Sequence, residues 1–314
     1  MIVWWFKTKT GLRAKIQKDA TSKGGSVKRR DFLKKTAWGV GGAWVGSTTL
    51  AGLAAPPDTR FEASDIVVLG KTGIHTSRLA CGTGTVGWNH HSHQTALGNQ
   101  GLGDLLCRGY ENGLRFFDAA DQYGSHPGVA EALKHVPREK VVVMTKSNTR
   151  DADGMRADID RFRQELNSDY IDILLMHCMT EDNWTERFRP VRDVISEAKE
   201  KGIIRAHGCS CHKIEALREA AQSPWVEIIL SRINPIGSHM DADPDTVKAV
   251  LAQGRANGKG IIGMKILGQG DMRNRQDEAL HYALNLGILD AMTIGAESSA
   301  EQDDLRRRIA AVNA

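Results

Sequence analysis

From Ile66 onward the chain alternates short apolar runs with longer amphipathic stretches. A hairpin-like segment, Ile66-Val-Val-Leu-Gly-Lys-Thr-Gly-Ile-His, comes first. Strand-like runs then occupy 78–84, 114–118, 141–146, 171–177, 203–209, 226–234, 260–265 and 291–295. Between them the apolar period lengthens to that of a helix over 102–112, 129–135, 155–167, 191–201, 213–221 and 246–257, and Gly113 ends the first of these. Eight strands in strict β-then-α order predict an α/β fold, a closed parallel (β/α)8 TIM barrel. A doubly wound open sheet has the same alternation and needs a glycine-rich turn after its first strand. Gly82-Thr-Gly84-Thr-Val-Gly87 fits that turn superficially, but no helix starts within it.

The polar residues that end these runs carry the chemistry. Asp118 and, just beyond it, Tyr123 follow the run ending in Phe116-Phe117; Lys146 ends Lys140-Val-Val-Val-Met-Thr; His177 ends Tyr170-Ile-Asp-Ile-Leu-Leu-Met. In a barrel the C-terminal strand ends face the active-site mouth, whereas a charge in mid-strand is buried without water. Carbonyl reduction needs a proton donor where the alkoxide develops. A free tyrosine is a weak acid at neutral pH, an adjacent ammonium favours its phenolate, and a carboxylate keeps that ammonium charged. Singly, Tyr123 reads as a loop aromatic and Asp118 as a helix cap; as a set the four read as catalytic.

In order and approximate spacing, Asp118, Tyr123, Lys146 and His177 resemble the catalytic tetrad of the aldo-keto reductases, and the resemblance covers almost all of residues 66–305. It implies that Tyr123 is the acid, Lys146 its tuner, Asp118 the partner of Lys146, and His177 a substrate-orienting donor. It also implies a nicotinamide cofactor, NADP or NAD, and a small-molecule carbonyl substrate or its alcohol, sugar-derived ones included. On the same basis the cofactor is expected against Ser210, Lys265, Gly268, Gly270, Gly295, Ser298, Ser299, Gln302 and Asp303. Four positions depart from the family: Cys211 replaces an Asn, Leu230 a carboxamide-binding Gln, Ile233 an aromatic that stacks on the nicotinamide, and Asp303 the usual terminal Asn. Residues 295–303 hold no Arg or Lys, while a 2′-phosphate ordinarily takes a basic partner; Glu297 suits a free ribose hydroxyl. These departures leave room for another class of function, a redox-silent cofactor-binding sensor on the same barrel.

The N-terminal residues read as an address. Lys28-Arg29-Arg30-Asp31-Phe32-Leu33-Lys34 resembles a twin-arginine export motif. An uncharged stretch from Thr36 to Ala55 follows, with small residues at 52–55 for cleavage and Pro56-Pro57 beyond. Residues 1–55 are therefore expected to be a twin-arginine signal region and 56–314 one barrel domain. The twin-arginine translocase is the expected partner, the periplasm the location, and a membrane anchor by an uncleaved signal the alternative. The stretch is weakly apolar, so no stable membrane span is expected in the mature form. Residues 1–35 carry 11 Lys and Arg against 2 acidic groups, a net +9 out of the chain's +4, which leaves −5 on the rest. The basic balance thus belongs to the signal and gives no reason to expect nucleic acid. Five cysteines without regular spacing form no disulfide framework. No metal is expected: His90-His91-Ser92-His93 reads as a polar or substrate-binding loop at the mouth, and a metal-dependent hydrolase rests on that cluster alone.

Overall fold

The computed structural model describes residues 60–313, all within one compact unit. The twin-arginine motif and the stretch after it lie outside the described residues.

Strands β1 (Ile66–Val68) and β2 (His75–Ser77) form an antiparallel hairpin. Then come β3 (Leu79–Gly82), β4 (Phe116–Asp118), β5 (Val142–Ser147), β6 (Ile171–Met179), β7 (Ile204–Cys211), β8 (Ile228–Arg232), β9 (Gly260–Met264) and β10 (Ala291–Ile294). These eight pair in parallel in chain order and close where β10 meets β3, with Met292 opposite Leu79. The helices are α1 (Gly98–Glu111), α2 (His126–Leu133), α3 (Ala152–Leu166), α4 (Trp184–Arg187), α5 (Arg189–Glu200), α6 (Ile214–Gln222), α7 (Pro244–Ala256), α8 (Gln276–Asn285) and α9 (Ser299–Ala310). The expected barrel is the observed one. Among the described residues no helix is long and apolar enough to cross a membrane.

Alternation along each strand sorts the core into two layers. Phe117, Val143, Leu174 and Met176 face the helices, whereas Phe116, Val142, Met144, Ile173 and Leu175 fill the barrel. Leu69 and Ile74 from the hairpin plug the interior from the N-terminal end of the strands and are almost wholly buried. Gly70 (φ +52°) permits this approach, since a Cβ there would lie 2.3 Å from the Gly260 nitrogen. Side-chain caps start three helices: Asp151 accepts from Gly154 N–H, Asp243 from Thr246 N–H and Ser298 from Glu301 N–H.

Some boundaries differ from the pattern for local reasons. Helix α1 begins at Gly98, but Gly98, Gly101 and Gly103 present no side chain, so apolar periodicity becomes visible only at Leu102. Helix α2 starts at His126 with Pro127 in its first turn, where no N–H is required. Helix α8 was not expected; it buries only Ala279, Leu280 and Ala283. Strand β8 stops at Arg232, short of the expected Asn234.

Candidate active site

The same alternation carries the polar residues inward. Asp118 has the parity of Phe116, Lys146 that of Val142 and Met144, and His177 that of Ile173 and Leu175, so all three stand one layer above the apolar filling. There Lys146 Nζ donates to Asp118 Oδ1 at 2.5 Å and to the Ala119 carbonyl at 2.7 Å. Thr293, from β10, donates to the other Asp118 oxygen at 2.7 Å. Lys146 is wholly buried and Asp118 nearly so. An ion pair this deep persists because both carboxylate oxygens and the ammonium have hydrogen-bond partners.

Tyr123 arrives from outside the sheet, at the end of a 3-10 turn over Asp121–Tyr123 that Gly124 (φ +66°) closes. Its ring lies 4.8 Å, centroid to Nζ, from Lys146 and meets the His177 ring edge-on at 5.7 Å. The opposing wall is the glycine loop after β3. A Cβ on Gly84 would lie 2.3 Å from Tyr123 Cε2, and one on Gly87 2.3 Å from Cδ1. Gly82-Thr-Gly84-Thr-Val-Gly87 is thus a cradle for an aromatic ring. Buried Gln94 fixes this loop, accepting from Thr85 N–H and donating to Thr85 Oγ1 and the Ala296 carbonyl.

Burial and charge divide the proton affinities. Burial pushes the Tyr123 hydroxyl above its usual range and outweighs the opposing pull of Lys146, so the phenol holds its proton. Lys146 therefore acts against a larger effect that runs the other way, a balance the sequence does not disclose. Burial also pulls the Lys146 ammonium down, but Asp118 and Tyr123 together hold it above the ordinary lysine value. Burial and then the Lys146 charge depress His177 well below 6.5, leaving a neutral imidazole.

Above these groups opens a cavity of about 670 Å³ lined by Asp118, Tyr123, His177, Leu230 and Lys265, among others. A family model for the aldo/keto reductase family matches residues 78–285, about two thirds of the sequence and nearly the whole barrel. The chain belongs to the aldo/keto reductase family. It is 27% identical over 205 residues to the NADH-specific methylglyoxal reductase of Escherichia coli strain K12, covering 56% of this chain and 60% of that one. It is 28% identical over 139 residues to the methylglyoxal reductase DkgA of Escherichia coli O157:H7, covering 43% and 49% respectively. The chain thus spans about half to three fifths of the length of these curated relatives. Its fold is that of an aldo-keto reductase crystal structure from Pseudomonas aeruginosa, with a TM-score of 0.65 at 20% identity over 80% of this chain and 98% of that one. The corresponding values for the Bacillus halodurans aldo-keto reductase AKR11C1 are 0.64, 15%, 80% and 92%.

In this aldo/keto reductase the residues expected on the cofactor side do not all reach the cavity. Lys265, Gly270 and Gly295 line it, and Gly268 belongs to the same turn as Gly270. Ser210 is buried and its hydroxyl accepts from the Cys178 N–H at 2.8 Å. Ser298 caps α9, and Ser299 is the first residue of that helix. Gln302 points into the core and donates to the Leu105 carbonyl, while Asp303 pairs with Arg108 at 2.9 Å and with Arg306 at 3.5 Å. Cys211 and Ile233 are wholly buried, and Leu230 presents an apolar wall. Of the histidine cluster, His90 and His91 are exposed and His93 pairs with Glu297 at 2.6 Å.

The aldo/keto reductase site also contains residues that sequence reasoning passed over. Thr293 was visible only as the inward position two beyond Ala291. Arg273 and His212 line the cavity from loops that carry no periodic signal. Of the three cysteines expected near the mouth, Cys209 and Cys211 are wholly buried. Cys178 does line the cavity, against the parity of its strand. The cause is a register shift between Met176 and Met179, with Cys178 at φ +59°.

Proposed function

We propose that this aldo/keto reductase transfers hydride between a nicotinamide cofactor and a small carbonyl compound or its alcohol, with Asp118, Tyr123, Lys146 and His177 as the catalytic set. The observation that carries the reading is the buried Asp118–Lys146 pair beside Tyr123 and His177 at the floor of a cavity. The nicotinamide, when bound, supplies or accepts the hydride. The cavity suits such a group: Leu230 offers an apolar wall, Gly268 and Gly270 give a turn with little side chain, and Lys265 and Arg273 supply positive charge for a pyrophosphate. Tyr123 gives its proton to the carbonyl oxygen as charge develops there. His177 Nδ1 is buried without a partner; an orphaned N–H is the rarer state, so the proton belongs on Nε2, which then donates to the substrate oxygen. Replacing Asp118, Tyr123, Lys146 or His177 one at a time and following NADH oxidation with methylglyoxal, the substrate in the names of the two relatives, tests the assignment. Full turnover in any of the four variants would overturn that residue's role.

The preferred cofactor in this reading is NAD. The segment expected at the adenosine end carries Glu297 and Asp303, and Arg306, Arg307 and Arg308 are engaged by Asp303, Asp304 and Asp277. A 2′-phosphate therefore meets carboxylates rather than an uncommitted guanidinium. Like charge there weakens the binding of a 2′-phosphate relative to a free ribose hydroxyl. Fluorescence titration with NADH and NADPH decides it; tighter NADPH binding overturns the preference.

A second reading, cofactor binding without turnover, draws on two facts about the ring end of the cavity. Leu230 replaces an amide there, and the Ser210 hydroxyl is committed to Cys178 N–H. Tight NADH binding with no carbonyl turnover would favour it.

Residues 1–55 are in this proposal a twin-arginine signal that sends the folded, cofactor-loaded barrel to the periplasm through the twin-arginine translocase. Arg29→Lys with Arg30→Lys is expected to hold the protein in the cytoplasm; unchanged export would overturn the address.

A further inference from the structure

An ordinary strand ending in His177 would turn Cys178 toward the helices. The bulge in β6 instead brings both side chains to the cavity wall. Cys178 is held there in a left-handed conformation (φ +59°) that residues with a Cβ seldom adopt, and its N–H is tied to the Ser210 hydroxyl at 2.8 Å. His212, from the turn that follows β7, lines the same cavity and sets its Nε2 3.6 Å from Cys178 Sγ. Its own backbone N–H is fixed by the Met179 carbonyl at 2.8 Å. Thiol and imidazole are therefore each positioned by a neighbouring strand, beside the His177 imidazole, which is 4% exposed and has an unpartnered Nδ1.

We propose that Cys178 and His212 form a nucleophile–base pair that reversibly captures electrophilic carbonyl compounds, 2-oxoaldehydes above all, as hemithioacetals within this cavity. The thiol proton passes to His212 Nε2 as the C–S bond forms and the carbonyl π pair moves to oxygen. His212 then returns the proton to that oxygen. No electron is gained or lost and no co-reactant is consumed. Geometry carries these roles, and burial leaves both groups neutral at rest. Burial, with Arg232 and Lys265 nearby, depresses His212 to about 4, so its nitrogen is an available acceptor at neutral pH. Burial raises the Cys178 thiol against the opposing charges of Arg150, Lys146 and Lys265, so at rest the thiol is protonated and needs that acceptor. Capture makes the aldehyde carbon tetrahedral and leaves hydride only the adjoining ketone, so capture competes with reduction of the aldehyde in the same space. Only the choice of electrophile rests on the proposed carbonyl-reducing function.

The test uses full-length protein without nicotinamide, so its failure is separable from a failure of reduction, which is measured by NADH oxidation. Iodoacetamide labelling is followed cysteine by cysteine by peptide mass. Cys81, Cys209 and Cys211 are buried, and Cys107 on α1 is a partly exposed internal control. Cys178 is expected to label about tenfold faster with His212 in place than in His212→Asn, while Cys107 labels equally in both. Methylglyoxal is expected to protect Cys178 at a concentration roughly tenfold below that protecting Cys107, with protection reversed on dilution. The wild-type competition needs no variant, so it tests the pair even where His212→Asn folds poorly. Labelling of Cys178 that is the same with and without His212, or equal protection of Cys178 and Cys107 by methylglyoxal, overturns the proposal.

Discussion

At the scale of single residues, the proposed chemistry depends on one proton donor, Tyr123, and one buried cation, Lys146. Tyr123→Phe keeps the ring that packs on Gly84 and Gly87 and deletes only the hydroxyl. Turnover is expected to fall by at least about a hundredfold with NADH affinity nearly unchanged, as read by single-turnover kinetics beside a binding titration. Lys146→Met strands the Asp118 carboxylate in a site that is 5% exposed. It is expected to cost roughly 3–5 kcal/mol in urea unfolding at pH 7, because the lost partner leaves an uncompensated charge. The sign of the pH dependence follows from the raised Lys146 value. That contribution is complete below 10.5, the ordinary lysine value, and disappears as the pH climbs through the higher folded value. The gap between variant and wild type is thus expected to stay constant from neutral pH to about 10.5 and to narrow only beyond it. Inward parity made Asp118, Lys146 and His177 legible from the strand pattern. The setting of Tyr123 was not legible, because glycines about forty positions earlier in the chain provide its wall.

At the scale of elements, helix α3 holds the floor of the proposed active site together from behind. Its Arg161 bonds Asp121, in the turn that carries Tyr123, at 2.7 Å, and also Asp158 at 2.7 Å and Glu165 at 2.9 Å. Asp158 in turn accepts from Ser147, next to Lys146, and from Thr149, both at 2.6 Å. Glu165 pairs with His126, whose other nitrogen meets Thr145 at 2.6 Å. One helix face thereby links the Tyr123 turn to the end of β5. Arg161→Met is expected to lower kcat by roughly tenfold with little change in KM, since it misplaces the acid without touching the substrate. Arg161→Lys should recover only part of the loss, because a single ammonium cannot span three carboxylates. Equal kcat in both variants and wild type would show that α3 does not position Tyr123. The alternation of elements was readable from apolar period alone. The bulge in β6 was not, since it reverses the parity on which that reading depends, and α8 buries too few side chains to announce itself.

At the scale of the molecule, buried neutral histidines set the acid limit. His207 stacks on Trp225 at 4.4 Å, and burial depresses it to about 4 despite Glu227; His177 is depressed as well. Below 6.5 the unfolded chain takes up protons that the folded one refuses, so stability falls with falling pH, by about 1.4 kcal/mol per pH unit for each histidine. For His207 the loss runs between 6.5 and about 4. His207→Phe, which preserves the stacking, is expected to reduce the slope of unfolding free energy against pH by one proton in that window. An unaltered slope would mean that His207 is protonated in the fold.

The two ends of the described chain meet, Arg60 bridging Asn313 in antiparallel fashion, while β10 closes on β3. The barrel is therefore a ring whose starting point is arbitrary. A short Gly/Ser linker from Asn313 to Arg60, with new ends opened between Lys201 and Gly202, would leave every strand pair in place. Both of those residues are exposed, in the turn between α5 and β7 on the side away from the mouth. Such a circular permutant is expected to unfold cooperatively within about 2 kcal/mol of the uncut barrel, measured by urea titration. Failure to fold would show that the order of synthesis, and not only the closed ring, is needed to form it.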